Sequence, residues 1–290
     1  MVAADAYETC LRLARQHYEN FPVASRLLPK ASRPHIAAIY AFARIADDFA
    51  DEGDHPEAER LGRLEEWQWR LHEAVEGRAQ ADDSDASRVF TALMHTMREC
   101  RLDVQPFDDL LSAFAQDVIV KRYETWGDLL DYCRRSANPV GRLVLRVCGY
   151  RDAALDRQSD AICTALQLTN FWQDLVVDWA KGRIYVPREV LARAHADEAA
   201  LGRREWPLSW QSAMRESAML TREQFMAGRP LLQTVKGRLR HELRATWIGG
   251  MRVLEKLEAC DYNVIDRRPR LGWSDAAIVG WRLLRWRSLS

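Results

Sequence analysis

Two segments far apart in the chain have helical spacing, are apolar on nearly every side, and each carry a single polar stripe. In "YAFARIADDFADEGD", Tyr40, Arg44, Asp47 and Asp51 step by 4, 3 and 4, which puts them on one helix face. Around them stand Ile36, Ile39, Phe42, Ile45 and Phe49. In "AICTALQLTNFWQDLVVDWAKGRIYVP", Gln167, Asn170, Asp174 and Asp178 step by 3, 4 and 4 among Ile162, Leu168, Phe171, Trp172 and Leu175. A helix that is apolar almost all round is buried, and buried carboxylates without partners carry a cost of several kcal/mol. Both stripes must therefore meet positive charge. Taken alone, the first stripe reads equally as a solvated helix end, with Glu52 and Asp54 as exit residues and Asp48 off the stripe. Two such helices in one chain favour a common cleft between facing stripes.

The rest of the chain is also helical in its apolar spacing. Helices are expected at about 4–19, 33–52, 56–77, 86–101, 106–121, 125–149, 152–179, 188–201, 206–234, 238–260 and 274–286. "GRIYVP" is the only β-like run, and "SANPVG" predicts a kink, because Pro139 removes a backbone donor. No repeat or linker divides the chain, so it reads as one all-α domain over residues 1–290. Lys plus Arg and Asp plus Glu are both 42, a balance unlike that of a nucleic-acid binder. The N-terminal residues lack an apolar signal core, and no apolar window is long enough to span a membrane. The six cysteines form no CxxC pair and match no zinc spacing, so they read as buried thiols in a reducing cytoplasm.

Facing stripes would gather Asp47, Asp51, Asp174, Asp178 and the Asn170 amide. All are hard oxygen donors, which suits magnesium, with manganese as the alternative. Magnesium takes few protein carboxylates and fills its shell with water and substrate phosphate, so the substrate should carry phosphate. Arg44, one turn before Asp47, supplies charge for the same oxygens. Lys121, Arg122, Lys181 and Arg183 are further cations that read singly as surface residues. Eleven Trp suit either a large aromatic-lined cavity or a membrane-facing surface. Metal-bound diphosphate at the mouth of such a cavity points to diphosphate departure that leaves a carbocation, held by aromatic faces away from water. Phe21, Tyr40, Tyr132, Phe171 and Trp172 are candidate walls, and each reads alternatively as core packing.

These residues resemble the squalene/phytoene synthase family, the head-to-head trans-prenyltransferases, from about His17 to Arg270. "DDFAD" and "NFWQDLVVD" match the paired acidic motifs, "RIYVP" the flap that follows, and "DYCRRSANPVG" a tyrosine-containing run. The resemblance implies an isoprenoid-synthase-type helical bundle around a central cavity. It implies Asp47, Asp51, Asn170, Asp174 and Asp178 as magnesium ligands, and Arg44 on diphosphate. Tyr40 and Tyr132 would lie beside the reacting carbons, with Tyr132 as proton shuttle. Tyr262 and Arg268 resemble a late pair near the diphosphate. "ENFPVASRLLP", "YAFARIADDFADEGD" and "NFWQD" look most like the bacterial hydroxysqualene synthase branch of hopanoid biosynthesis. That branch takes presqualene diphosphate, loses diphosphate and captures water. It uses no nicotinamide cofactor, and no GxGxxG fingerprint occurs here.

The chain departs from the family where Gln173 replaces an arginine before Asp174. This removes a charge, or provides an amide that orients water. Asn138 in the altered kink is a candidate holder of the attacking water, or an ordinary cap. The alternative activity condenses two farnesyl diphosphates to presqualene diphosphate, squalene or a carotenoid precursor. A non-enzymatic assembly role would go with degraded acidic motifs, and both motifs are intact. "AAIVGWRLLRWRSLS" is amphipathic and basic. It reads either as a peripheral membrane contact on the inner face or as a last helix docked on the bundle.

Overall fold

The computed structural model describes residues 3–16, 27–79, 82–266 and 268–286. Every regular element among them is helical: α1 (Ala3–Gln16), a 3₁₀ turn (Lys30–Ser32), α2 (Arg33–Asp51), α3 (Glu57–Val75), α4 (Asp85–Cys100), α5 (Gln105–Ile119), α6 (Trp126–Ser136), α7 (Asn138–Val147), α8 (Ala153–Ala180), α9 (Arg188–Ala194), α10 (Ala199–Gly202), α11 (Leu208–Gly228), α12 (Leu231–Thr234), α13 (Gly237–Ala259) and α14 (Trp273–Leu284). The β-like run contributes one isolated parallel bridge, Arg122 to Ile184.

Three expected helices are each two. The 125–149 segment breaks before Asn138–Pro139, where proline has no N–H to donate to the preceding turn and so sits at the start of a new helix. The 188–201 segment breaks at His195, which adopts a left-handed φ of 54°. The 206–234 segment breaks at Pro230, for the same reason as at Pro139. The sequence predicts one domain over residues 1–290. Contacts within it group residues 1–119 with 139–156, and 120–138 with 157–290, as two compact units.

In the first unit, α2 buries Ile36, Ala37, Ala38, Ile39, Ala41, Phe42, Ala46 and Ala50. Phe42 packs against Trp67 of α3, Phe90 of α4 and Phe107 of α5, with ring centroids 5.4–6.0 Å apart, a range typical of favourable aromatic pairs. This cluster holds the back of α2 and leaves its acidic stripe on the other side. α1 is tied down by a polar node. The Tyr7 hydroxyl lies 3.0 Å from Nδ1 of both His35 and His95, and 2.8 Å from the Thr96 hydroxyl.

In the second unit, α8 is the spine. Trp172 is fully buried and donates from Nε1 to the Thr221 hydroxyl of α11 at 2.7 Å. α11 approaches α8 at Gly228. A Cβ there would collide with the Ile162 side chain and come within 2.6 Å of the Gln158 carbonyl. At Gly250 of α13, a Cβ would lie 2.5 Å from Phe225.

Two outcomes follow from this packing. Gly228→Ala should destabilise the protein by about 1–3 kcal/mol and lower Tm by roughly 2–4 °C per kcal/mol. Gly62→Ala, on α3 with nothing within 4 Å of the added methyl, should stabilise by about 0.5–1 kcal/mol. Thermal melts of both variants decide whether close approach or helix propensity governs. Burial, helped by His95 and opposed by Glu99, holds His35 below its ordinary range. Its native form is therefore neutral where the unfolded chain already binds a proton. Stability from this group is lost as pH falls from about 6.5, by at most about 1.4 kcal/mol per unit. His35→Asn should flatten the Tm profile between pH 7.5 and 5, and an unchanged slope would refute the assignment.

Candidate active site

Within the first unit, the α2 stripe is half-buried as a set: Tyr40, Arg44, Asp47, Asp48 and Asp51. Arg44 reaches Asp47 at 3.1 Å, Asp48 at 2.5 Å and Glu52 at 3.7 Å. It thus supplies the positive charge that the stripe requires, from within the same helix. Even so, Asp47 is pushed up to about 6. Burial is the largest cause, although 41% of its side-chain surface stays open. Arg44 opposes the rise, and the like charges of Asp51, Asp117 and Asp48 reinforce it. The stripe therefore carries more negative charge than Arg44 offsets. Tyr40 is raised by burial, with Arg44 opposing.

Asp117 is the functional candidate missing from the sequence reading. It is buried on the face of α5 that also buries Leu110 and Ala113. The signal was a carboxylate in register with an apolar stripe, hidden because it stood alone.

Within the second unit, Asn170, Asp174 and Asp178 are half-buried on α8. Asn170 Nδ2 donates to Asp174 Oδ2 at 2.9 Å. Arg268 Nη2 donates to the same oxygen at 2.8 Å, and Arg268 Nε pairs with Oδ1. Burial raises Asp174, while Arg268 first, then Asn170 and Arg270, pull it down. Asn170, Asp174 and Arg268 are therefore brought together. Arg270 joins them at longer range, which its place in "RRPR" did not distinguish from a surface cation. Gln173 donates from Nε2 to the Pro269 carbonyl at 2.6 Å. The amide that replaces the family's arginine tethers the segment that carries Arg268. Asp178 closes α8: its carbonyl accepts from the backbone N–H of Arg183 at 2.8 Å, and the Arg183 side chain is buried.

Aromatic rings gather beside this stripe. Phe171 and Tyr185 stack at 3.7 Å, 5° from parallel. Tyr132 is 6.0 Å from Phe171 and 5.6 Å from Tyr123. Tyr123 and Tyr185 thus extend the predicted set of Tyr132 and Phe171. Trp172 belongs to the core through Thr221, as described above. Asn138 is buried and its Oδ1 accepts from the Thr164 hydroxyl at 3.0 Å. Tyr262 is buried with a left-handed φ of 60°, among Glu258, Arg215, Arg222 and Asp261. Phe21 lies outside the described residues. Arg122 grips Glu198 and the Gly182 carbonyl and packs over Trp179, securing the flap after α8.

The donor chemistry of both stripes suits a hard divalent cation: carboxylate and amide oxygens, with surplus negative charge at Asp47. Among the described residues, no three His, Cys, Asp or Glu side chains are placed to hold a metal ion by themselves. A cation here would need oxygens from a ligand as well.

The squalene/phytoene synthase family model matches residues 14–275. The chain is similar to a hydroxysqualene synthase from Zymomonas mobilis, 38% identical over 206 residues, which are 70% of this chain and 66% of that protein. That match spans just under two thirds of the relative's length. The chain is also similar to a hydroxysqualene synthase from Sinorhizobium fredii, 37% identical over 79% of this chain and 76% of the other. Among solved structures, the crystal structure of squalene synthase HpnC from Alicyclobacillus acidocaldarius is similar at a TM-score of 0.83 and 38% identity, covering 90% of this chain and 96% of that one.

The Gln173 tether has a direct readout. One hydrogen bond is worth about 1 kcal/mol net, so Gln173→Ala should speed amide exchange in segment 263–272 about fivefold while leaving α8 unchanged. Equal exchange in both proteins would show that the tether does not hold the segment.

Proposed function

The chain belongs to the squalene/phytoene synthase family, and from that premise we propose that it converts presqualene diphosphate to hydroxysqualene with release of diphosphate. The reaction is a carbon–oxygen lysis followed by water capture. The cyclopropylcarbinyl C–O bond breaks heterolytically and diphosphate keeps the electron pair. The cyclopropylcarbinyl cation rearranges, and water adds to it. One proton is then lost, giving the alcohol, diphosphate and H⁺. No reductant enters the balance.

Magnesium, held by Asp47, Asp51, Asn170, Asp174 and Asp178, would supply charge withdrawal from the departing diphosphate. Manganese is the alternative ion. Arg44 and Arg268 hold the stripes' charges until substrate arrives and then turn to phosphate oxygens, helped by Arg183, with Tyr262 close to the late loop. Phe171, Tyr132, Tyr123 and Tyr185 present π-faces to the cation and keep bulk water out. Tyr40 borders the reacting carbons, and Tyr132 carries the final proton. Asn138 orients the single water, while Gln173 holds the loop that carries Arg268.

The observation that carries this reading is the acidic surplus of α2: Asp47, Asp48 and Asp51 stand half-buried on one helix, with Arg44 paired to Asp47 and Asp48. A helix with that surplus is suited to a divalent cation and its diphosphate. The resemblance to hydroxysqualene synthases supplies the substrate class.

Purified protein given presqualene diphosphate and magnesium, without NADPH, should release an alcohol and diphosphate. Consumption of farnesyl diphosphate alone would instead favour the condensing activity. Asp47→Asn and Asp174→Asn should each lower kcat by more than about a hundredfold with unchanged far-ultraviolet circular dichroism. Retained turnover in both would overturn the metal assignment.

A further inference from the structure

α14 meets the protein through Asp275 and Arg282 beside half-buried Ile278, Val279 and Leu283, and its opposite face, open to water, is also largely apolar. Asp275 is 1% exposed, accepting from Arg252 Nε at 2.8 Å, Lys256 Nζ at 2.6 Å and the Gly272 backbone N–H at 2.9 Å. These partners hold its carboxyl far below the usual carboxylate range. Arg282 pairs with Glu255 of α13 through both oxygens, at 2.6 and 3.1 Å. Just beyond α14, Trp286 is buried 5.6 Å from Trp247, with the Arg244 guanidinium over its ring.

The outward face bears Trp273, Ala276, Ala277, Gly280, Trp281 and Leu284, all exposed. Trp273 is 95% exposed and Leu284 88%. Positions 273, 277, 280 and 284 step by 4, 3 and 4, so they form one stripe. Soluble helices normally place such a stripe against a core, and an exposed one marks an interaction surface.

We infer that the outer face of α14 is a docking surface for an anionic phospholipid bilayer. Charge points to that occupant. Beyond Arg282, which is paired with Glu255, the sequence from Ala276 to the last residue has two more arginines, Arg285 and Arg287, and no acid, and the Arg285 guanidinium lies 4.8 Å over the Trp281 ring. Tryptophan at the rim of an apolar face with arginine beside it suits the headgroup–acyl boundary. A second copy of the chain fits less well. Twelve helical residues span about 18 Å, and a stripe of that length covers a few hundred Å² at most, against about 800 Å² per partner in a stable interface. Self-association would also bring the arginines together. Among the described residues no helix is long and apolar enough to cross a membrane, so the contact is one of lying on the surface. The purpose of this contact rests on the proposed hydrocarbon substrate, which would be drawn from or returned to the bilayer.

Flotation with vesicles of phosphatidylcholine, with and without 30 mol% phosphatidylglycerol, tests the inference without any substrate, so its failure leaves the proposed reaction standing. The native protein should float with the anionic vesicles at least tenfold more than with neutral ones, and high salt should release it. The double variant Trp273→Ser, Leu284→Ser should lose that binding about tenfold while keeping its melting temperature and its turnover of detergent-dispersed substrate. Three results would overturn the inference: no binding by the native protein, equal binding by the variant, or a native dimer by light scattering that the variant converts to a monomer.

Discussion

Carboxylates on otherwise apolar helices are the constraint that organises this molecule. Burial makes each charge expensive, and packing the apolar sides of α2 and α8 cannot be avoided. The chain resolves the conflict with a cation for each stripe. Arg44 comes from the same helix as its acids, one and two turns away from them, and is there as soon as α2 forms. Arg268 comes from a loop nearly a hundred residues beyond Asp174, and reaches it only when that loop is in place. Gln173 helps to hold the loop through the Pro269 carbonyl. Neither arrangement is neutral in outcome. Asp47 remains raised despite Arg44, and Asp174 remains raised despite Arg268. Under the proposed function, both stripes exchange these protein partners for a divalent cation and its phosphate ligand.

The apolar half of the chemistry is built from the same helix that carries the second stripe. On α8, Phe171 and Trp172 are adjacent and have different tasks. Trp172 points into the core and is fastened by Thr221, while Phe171 stacks on Tyr185 from the segment after the helix. Tyr132 and Tyr123 complete the ring set from α6 and the strand-like stretch before it. A helix that anchors with one side chain and lines with its neighbour keeps the aromatic set registered to Asp174 one turn away. The Arg122 contacts to Glu198 and Gly182 hold the flap that delivers Tyr185.

α14 follows a different logic. Ion pairs fix its inner face beside half-buried Ile278, Val279 and Leu283, and its exposed face is apolar as well. Asp275 has a lysine, an arginine and a backbone donor, so its charge is matched where it sits. The outward tryptophans and leucine have no such match within the described residues. A helix held this way stays attached to α13 whatever covers its other face, which is what a rigid membrane-lying edge requires.

Much of this was legible in the residues alone. The 4-3-4 and 3-4-4 spacings located both stripes on helices, and the scarcity of β-like runs announced an all-helical chain, because these are properties of backbone period and are written locally. The three split helices were half legible. Pro139 and Pro230 stood in the text, but whether a proline kinks or ends a helix depends on what packs against it. What the sequence could not hold were partnerships across distance. Asp117 joined Asp47's neighbourhood, Arg268 joined Asp174, and Gln173 turned to the Pro269 carbonyl. The C-terminal helix shows the same divide. Its amphipathicity was plain from the order of residues, but which side faced the protein was decided by Arg252, Lys256 and Glu255 on another helix, because the pull on a charge is set by where its counter-charges lie in space.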